Sequence, residues 1–319
     1  MIGDVKMNTA IAQPAQAEIN NTGHYEYVLI TPARNEEAFI QQTIESVVAQ
    51  TVLPAKWVIV SDGSTDRTDD IVKQYAAKYD WIQLVRTPER EERHFAGKVL
   101  AFNAGYEQVQ DLNYDIVGSL DADISFDPEY FEFLLGQFAG NTKLGVAGTP
   151  FREGTTQYDY RFSRKEHVSG ACQLFRRECF ESIGGYVPIK AGAIDLTAVV
   201  TARMKGWKTE TFTDKFCMHH RKMGSANANI VLATFKGGYG DYQMGVHPAW
   251  QIFRSVYQMT RKPLILGGGL LLAGYFWAMI KRSPRPVSME FVNFRRKEQM
   301  QWLDGYYKNC FGLLGQRNK

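Results

Sequence analysis

The sequence predicts an α/β protein built around a mostly parallel β-sheet, and three observations support this class. Short runs of apolar, mostly β-branched residues alternate with stretches that carry helical periodicity. Such runs are typical of strands buried on both faces of a sheet. An apolar fraction of 45% over 319 residues supplies a sizeable core. Because strands alternate with helices, right-handed crossovers between parallel strands are expected.

The first 120 residues contain four predicted strands, at 27–31, 57–60, 82–85 and 116–120. A helix is predicted after each of the first three strands, because apolar residues recur there at helical spacing. These helices cover Ile40 to Val48, Asp66 to Lys78 and Val99 to Val109. Beyond Pro150 the alternation loosens, with a helix predicted from Asp195 to Lys205 and a strand from Thr209 to Phe212.

The two ends of the chain differ in character. Residues 1–24 are polar and have no apolar core of a secretory signal, so a disordered leader is predicted. Residues 263–280 contain no charge and lie between Arg261-Lys262 and Lys281-Arg282. A spanning helix needs about 20 apolar residues, so this segment is marginal as a span. Cationic flanks favour a segment at an anionic membrane surface, and the alternative is a buried core helix.

Net charge and cysteine usage exclude some classes of protein. A net charge of +3 is too small to indicate a nucleic-acid partner. The basic residues are concentrated in 281–319, where nine Lys/Arg stand against three acids, about +6. The four cysteines have no Cys-x-x-Cys spacing, which indicates free thiols in a reducing compartment.

Polar residues follow the first two predicted strands at the edge where α/β sheets bind ligands. Residues 32–37 read Pro-Ala-Arg-Asn-Glu-Glu, and residues 61–66 read Ser-Asp-Gly-Ser-Thr-Asp. Asp62 is placed to accept hydrogen bonds from a base or ribose, and Gly63 permits a tight turn before the next helix. The alternative for either motif alone is ordinary strand-to-helix turn chemistry.

Asp121 and Asp123 end the fourth apolar strand. Residues i and i+2 of an extended segment face the same way, so both carboxylates can converge on one point. Two such carboxylates repel each other unless a cation lies between them. Oxygen ligands favour Mg²⁺ or Mn²⁺, which leave coordination positions open for phosphate oxygens. The alternative is a solvated turn.

Taken together, these motifs resemble the family 2 glycosyltransferases of the GT-A fold, an inverting family with an Asp-x-Asp metal motif. The motifs occur in the family's order, from 32–36 through 62–66, Gly97-Lys98, Asn103-Ala104-Gly105 and 121–123 to Gly184-Gly185-Tyr186 and Asp195. The resemblance covers about 27–224. It implies a Rossmann-like mixed, mostly parallel sheet flanked by helices. The uncharged segment at 263–280 adds a predicted C-terminal membrane-associated helical extension.

The resemblance also implies roles for individual residues and boundaries for the domains. The catalytic domain would be 25–230, with a nucleotide-binding half at 25–123 and an acceptor half at 124–230, followed by the C-terminal region 231–319. Asp195 would be the general base, and a divalent ion, Mg²⁺ or Mn²⁺, would be held by Asp123 and His220. The adjacent His219 is the alternative to His220, because the sequence leaves open which of the two faces the site. The nucleotide sugar would be bound by Pro32, Arg34, Glu36, Asp62, Lys98, Asp121 and Arg221.

The implied function is transfer of one sugar, from a nucleotide-diphosphate sugar with UDP as the default nucleotide. A lipid-linked saccharide at the cytoplasmic face of the cell membrane would be the acceptor, in synthesis of bacterial cell-surface polysaccharide. Two departures bear on this expectation: Ile194 stands where the family usually places an acid before the base, and the Gln-x-x-Arg-Trp signature of polymerising members is absent. The alternatives are a HAD-like phosphatase and a non-catalytic, membrane-peripheral nucleotide-sugar-binding subunit.

Overall fold

The computed structural model describes residues 25–89, 96–154, 156–157, 164–189, 192–221, 230–261 and 264–316. The predicted leader at 1–24 lies outside the described residues. The described residues form two sheets. The larger one consists of β1 (Tyr27–Ala33), β2 (Lys56–Asp62), β3 (Ile82–Thr87), β4 (Ile116–Leu120), β6 (Leu144–Gly148), β9 (Cys172–Arg176) and β10 (Lys208–Thr211). The smaller one consists of β5 (Ile124–Ser125), β7 (Phe151–Glu153), β8 (Thr156–Gln157) and β11 (Cys217–His219).

The larger sheet has the strand order β10-β6-β9-β4-β1-β2-β3. Its neighbours pair in parallel except β9, which runs antiparallel to both β4 and β6. The predicted mixed, mostly parallel sheet is therefore confirmed. The carboxyl ends of β1, β2 and β4 lie at one edge, and this brings their terminal polar residues together.

In the described part of the chain, six helices cover the two faces of this sheet: α1 (Ile40–Val48), α2 (Thr68–Ala76), α3 (Ala96–Tyr106), α4 (Tyr130–Gly140), α5 (Arg177–Ser182) and α6 (Ile194–Met204). Successive strand residues face opposite ways. Thus Leu29 packs with α1, α2 and α4 on one face, and Ile30 packs with α3, α5 and α6 on the other. Both faces of β1 are buried, which explains its unbroken apolar sequence.

The observed start of α2 and the observed end of β1 differ from the predicted boundaries. Helix α2 begins at Thr68 rather than Asp66, because the Asp66 carboxylate accepts a hydrogen bond from the Thr68 N–H, 3.0 Å. Strand β1 continues through Pro32 to Ala33, past its last β4 partner at Ile30. Pro32 therefore has a neighbouring strand on one side only, as the missing N–H of proline requires. Strand β11 was not predicted.

Four further helices form the C-terminal region: α7 (Ile230–Gln243), α8 (Pro248–Met259), α9 (Leu264–Ile280) and α10 (Met289–Gln316). The uncharged segment predicted at 263–280 forms α9. Within the described residues, none of the helices combines the length and the apolar character that crossing a membrane requires. Helix α10 returns to the α/β domain, where Glu298 accepts hydrogen bonds from Arg203 of α6, at 2.7 and 3.0 Å.

Candidate active site

The loops that follow β1 and β2 hold each other in place at the sheet edge. The Asn35 side chain accepts a hydrogen bond from the Thr65 N–H at 2.8 Å, and the Glu36 N–H donates to the Thr68 hydroxyl at 2.8 Å. Asn35 itself has φ 55°, a left-handed conformation that Asn tolerates better than most residues. These contacts fix the backbone from which Arg34 and Glu36 project.

Arg34 and Asp62 form one polar pair at this edge. The Arg34 guanidinium lies 4.0 Å from the Asp62 carboxylate, which also accepts a hydrogen bond from the Thr87 hydroxyl at 3.1 Å. Gly63 follows with φ 61°, and a Cβ at that position would lie 2.5 Å from the Glu89 Cα. The turn therefore requires glycine both for its conformation and for its close approach to a neighbouring segment.

Lys98 and Asp121 form a second pair, between α3 and the end of β4. The Lys98 ammonium contacts the Asp121 carboxylate and donates a further, longer hydrogen bond to the Gly170 carbonyl, 3.4 Å. Burial alone would lower the pKa of Lys98, but the Asp121 carboxylate outweighs this effect and raises the pKa above its usual value. The ammonium therefore stays charged.

Asp123 lies at the centre of a third cluster. Its carboxylate is 3.6 Å from the His219 Nε2 atom and 3.1 Å from the Arg221 Nε atom. Arg221 also forms an ion pair with Glu36, so this one guanidinium links the loop after β1 to the Asp-x-Asp motif. Burial raises the pKa of Glu36 to about 7, although Arg221 opposes the shift.

The position of His220 differs from the expectation that its imidazole completes a metal site with Asp123. The His220 Nε2 atom instead lies 2.9 Å from the Ser125 hydroxyl. The backbone N–H of His220 donates to the backbone carbonyl of Asp123 at 2.9 Å. His219 is the residue that directs its ring at the Asp123 carboxylate, because it is the last residue of β11 and pairs with Ile124 of β5. Adjacent strand residues point to opposite sides, so only one of the two histidines can face that carboxylate.

Asp195 lies in the first turn of α6, at a cavity of about 350 Å³. Ala193 precedes the helix with φ 63°, and Gly170 leaves room for the carboxylate: a Cβ on Gly170 would be 3.0 Å from it. Within the part of the chain that the structure describes, the Asp195 carboxylate makes no hydrogen bond or ion pair. The cavity lining includes Lys98, Phe102, Asp121, His167, Tyr186, Asp195 and His219.

The structure thus places the predicted residues in adjoining groups along one edge of the sheet. Lys98, Asp121 and Asp195 line the cavity, while Glu36, Asp123 and Arg221 form the neighbouring cluster. Arg34 and Asp62 form their own pair, and Pro32 lies within β1.

Sequence reasoning overlooked one residue of this edge, Glu153, and favoured His220 where the structure places His219. His219 and Glu153 lie 3.5 Å apart beside Asp123. The apolar run Phe216-Cys217-Met218 hints at β11 but is too short to establish a strand by periodicity.

A mostly parallel sheet with acidic and basic side chains at the carboxyl ends of β1, β2 and β4 defines this chain as an α/β protein of the GT-A class. A model of glycosyl transferase family 2 matches residues 28–194, more than half of the chain. The chain belongs to glycosyl transferase family 2. That membership excludes the HAD-like phosphatase considered above.

Curated relatives agree with this assignment. The poly-beta-1,6-N-acetyl-D-glucosamine synthase of Staphylococcus epidermidis is 24% identical over 295 residues, which cover 87% of this chain and 62% of the relative. The probable glycosyltransferase YdaM of Bacillus subtilis (strain 168) is 32% identical over 127 residues, 39% of this chain and 29% of that protein. The chain therefore spans less than two thirds of the length of these relatives.

Two solved structures share the fold. The mannosyltransferase PcManGT from Pyrobaculum calidifontis, in complex with GDP-Man and Mn²⁺, has a TM-score of 0.55 at 17% identity, covering 91% of this chain and 88% of that one. S. aureus TarS 1–349 in complex with UDP-GlcNAc has a TM-score of 0.53 at 14% identity, covering 84% and 79%. At these identities the likeness concerns the fold alone.

Proposed function

We propose that this protein is an inverting glycosyltransferase, which moves one sugar from a nucleotide-diphosphate sugar to a hydroxyl acceptor. The observation that carries the proposal is the cavity where Lys98, Asp121 and Asp195 meet beside Asp123. It offers a cation, a carboxylate at the end of β4 and a second carboxylate whose oxygens are not engaged by the described residues. Family membership supplies the reaction class.

Asp195 is the proposed general base. Its carboxylate takes the proton of the acceptor hydroxyl as that oxygen bonds to the anomeric carbon. The bond from this carbon to the diphosphate oxygen breaks, and the electron pair leaves with the diphosphate. A single displacement of this kind inverts the configuration at the carbon. Lys98 remains charged at the same cavity and is placed to stabilise the negative charge of the leaving group.

Asp123 and His219 have the chemistry to hold a divalent ion and lie close to the spacing that it requires. Adjacent ligands of an octahedral ion, each about 2.1 Å from it, lie about 3.0 Å apart, and these two donors are 3.6 Å apart. No group of three or more His, Cys, Asp or Glu side chains among the described residues could hold a metal ion. Mg²⁺ and Mn²⁺ characteristically use one or two protein ligands together with substrate phosphates. When bound, such an ion would neutralise charge on the diphosphate.

The donor and acceptor are proposed on the relatives and on the sequence. UDP is the proposed nucleotide, and UDP-N-acetylglucosamine is the first donor to test, since relatives are named for that sugar or were solved with it. GDP-mannose is the next, because PcManGT was solved with it. The proposed acceptor is a lipid-linked saccharide at the cytoplasmic face of the cell membrane. Because the Gln-x-x-Arg-Trp signature is absent, we propose addition of a single sugar.

A donor screen tests this function. UDP, GDP and dTDP release from a panel of nucleotide sugars is measured with a lipid-extract acceptor pool, with Mn²⁺ and with EDTA. We expect release from one nucleotide class, loss of release in EDTA, and a product extended by one sugar. Binding of nucleotide sugars without any turnover would contradict the enzyme and support a binding subunit. A product ladder would contradict single addition.

A further inference from the structure

Helix α9 presents an apolar face to its surroundings. Its exposed or half-exposed positions Leu266, Leu270, Ala273, Trp277 and Ile280 recur every three or four residues, which places them along one side of the helix. The most exposed large apolar side chains of the helix are Ile265 and Ile280, at 75% and 73%. A helix of a globular protein ordinarily carries polar residues on its outer side, and α9 carries none.

The opposite side of α9 is occupied by protein. A Cβ on Gly274 would lie 2.0 Å from the Phe235 carbonyl of α7, and a Cβ on Gly268 would lie 2.2 Å from the Ser255 carbonyl of α8. The small residues of α9 therefore bring its backbone against two neighbouring helices. Because one side of α9 packs against α7 and α8, only its other side can contact a partner.

The neighbouring helices add to the exposed apolar surface. On α8, Ile252 and Val256 are 47% and 55% exposed and are four residues apart, so they lie on one side of that helix. On α7, Ile230 is 63% exposed, and Val231 and Leu232 are also exposed. Exposed apolar side chains in such number on adjoining helices indicate an interaction surface, because isolated ones are normal but clusters are not.

The charge of the segment that contains α8 and α9 indicates which kind of partner this surface would bind. Between Tyr242 and Met289 the sequence has no Asp or Glu and six Lys or Arg. Two of these cations, Lys281 and Arg282, directly follow α9 and are exposed, and the Lys281 ammonium lies over the Trp277 ring at 5.1 Å. Tryptophan and lysine side by side at the end of an apolar helix are characteristic of a membrane–water interface.

We propose that helices α7, α8 and α9 form a docking surface that lies on an anionic lipid leaflet, with the exposed side of α9 embedded among the acyl chains near the headgroups. The apolar side chains supply burial, and the cations at the end of α9 select anionic headgroups. The inference deepens the proposed function, because it would bring the cavity to a lipid-linked acceptor. It rests on the surface itself and does not require that transfer occurs.

Vesicle flotation tests this surface with the full-length protein. The vesicles contain phosphatidylcholine alone or an equimolar mixture with phosphatidylglycerol. We expect binding to the mixed vesicles and little binding to phosphatidylcholine. The double variant Ile265→Asp/Ile280→Asp should bind the mixed vesicles at least about tenfold more weakly than wild type, because two large apolar side chains lose their burial. The control Leu53→Asp/Leu112→Asp makes the same charge change at exposed leucines of the α/β domain and should bind like wild type.

A second pair of variants isolates the charges. Lys281→Gln/Arg282→Gln should weaken binding to the mixed vesicles by about 25-fold, with each cation contributing about fivefold. Lys73→Gln/Lys78→Gln, which removes two exposed lysines elsewhere, should not. Equal binding of wild type to both kinds of vesicle would overturn the anionic-leaflet assignment. Equal loss in the matched controls would overturn the location.

A second copy of the chain is the competing occupant of this surface. Light scattering without lipid should show a monomer, and a dimer that Ile265→Asp/Ile280→Asp dissociates would overturn the proposal. Circular dichroism confirms that each variant is folded. Nucleotide release without vesicles is measured separately, so a failure of the docking surface and a failure of the proposed transferase are distinguishable.

Discussion

At the scale of single residues, Asp121, Asp123 and Asp195 differ in whether a neighbouring cation pairs with their carboxylates. Asp121 is paired with Lys98, and Asp123 is paired with Arg221. Asp195 has no such partner among the described residues, although it shares the cavity with Lys98. A carboxylate that accepts a proton needs a free lone pair, and the carboxylate of Asp195 is not engaged by a cation among the described residues. These contacts support the proposal that Asp195 is the base.

Replacement of the proposed base tests this division. Asp195→Asn should lower the transfer rate by about 10²–10⁴-fold, since the amide cannot accept the proton. Binding of UDP, measured by calorimetry, should stay within about twofold of wild type. The reason is that Asp195 makes no hydrogen bond or ion pair with Arg34, Asp62 or Asp121, the residues proposed to bind the nucleotide. Asp111→Asn, at an exposed position outside the site, is the control. A parallel loss of UDP binding would show that Asp195 belongs to the donor site instead.

Arg221 occupies the Asp123 carboxylate that a metal ion would need. Arg221→Gln should therefore tighten Mn²⁺ binding in the absence of nucleotide by about three- to tenfold, because a competing cation is removed from a half-exposed pair. Mn²⁺ affinity is measured by electron paramagnetic resonance, with exposed Arg67→Gln as the control. Unchanged or weaker Mn²⁺ binding would mean that the ion and Arg221 do not share Asp123.

Glu36 should make stability depend on pH. Burial raises its pKa to about 7, against an ordinary value of 4.5 in the unfolded chain. Between these values the folded state holds a proton that the unfolded state has lost, so stability falls as pH rises from 4.5 to 7. In EDTA, the urea midpoint of wild type should decrease over this window relative to Glu36→Gln. Identical pH profiles for the two proteins would refute the raised pKa.

At the scale of elements, glycines decide how the C-terminal helices meet. A Cβ on Gly238 of α7 would lie 2.0 Å from the Leu271 carbonyl of α9, and Gly274 of α9 has the reciprocal contact with Phe235 of α7. Such separations are too short for any side chain, so the two backbones touch. Helix packing therefore requires glycine at these two positions, although glycine lowers the intrinsic stability of a helix.

Two glycines of α9 provide a matched pair of substitutions. Gly274→Ala should destabilise the protein by about 1–3 kcal/mol, because the new methyl group meets the α7 backbone. Gly269→Ala should be neutral or stabilise by up to about 1 kcal/mol, since a Cβ there has nothing within 4 Å and alanine favours helix. Thermal unfolding followed by circular dichroism gives both values. Similar effects from the two substitutions would argue against close α7–α9 packing.

At the scale of the whole molecule, α10 connects the C-terminal helices to the domain that carries the site. Glu298 accepts two hydrogen bonds from Arg203, and the side chains of both residues are 14% exposed. Arg203 belongs to α6, the helix that begins beside Asp195. A deletion from residue 263 onward would therefore remove α10 together with α9. Surface substitutions on α9 leave the contacts of α10 with α6 in place.

The Arg203–Glu298 contact predicts how much the packing of α10 on α6 contributes to the stability of the protein. Glu298→Gln should lower stability by about 1–3 kcal/mol, because the Arg203 guanidinium loses its carboxylate in a largely buried setting. Glu290→Gln, an exposed position of the same helix, should have little effect. Equal shifts in melting temperature for the two variants would show that α10 is not held through Arg203.

The order of secondary structure could be predicted from the sequence because it depends on local patterns. The strand predicted at 116–120 is the observed β4, and the helix predicted from Asp195 begins one residue earlier, at Ile194. The short strand β11 could not be placed, since three residues carry too little periodicity. Its position decides that His219, and not His220, faces Asp123.

By itself, the sequence determined the fold class, the family resemblance and the set of polar residues at the strand ends. Apolar periodicity and chain order fix these properties before any contact forms. Only the tertiary structure decided that Arg221 pairs with both Glu36 and Asp123, and that α9 packs one side against α7 and α8 while its other side stays exposed. Those pairings join residues far apart in the chain, so they depend on how helices and sheets pack, which local pattern does not encode.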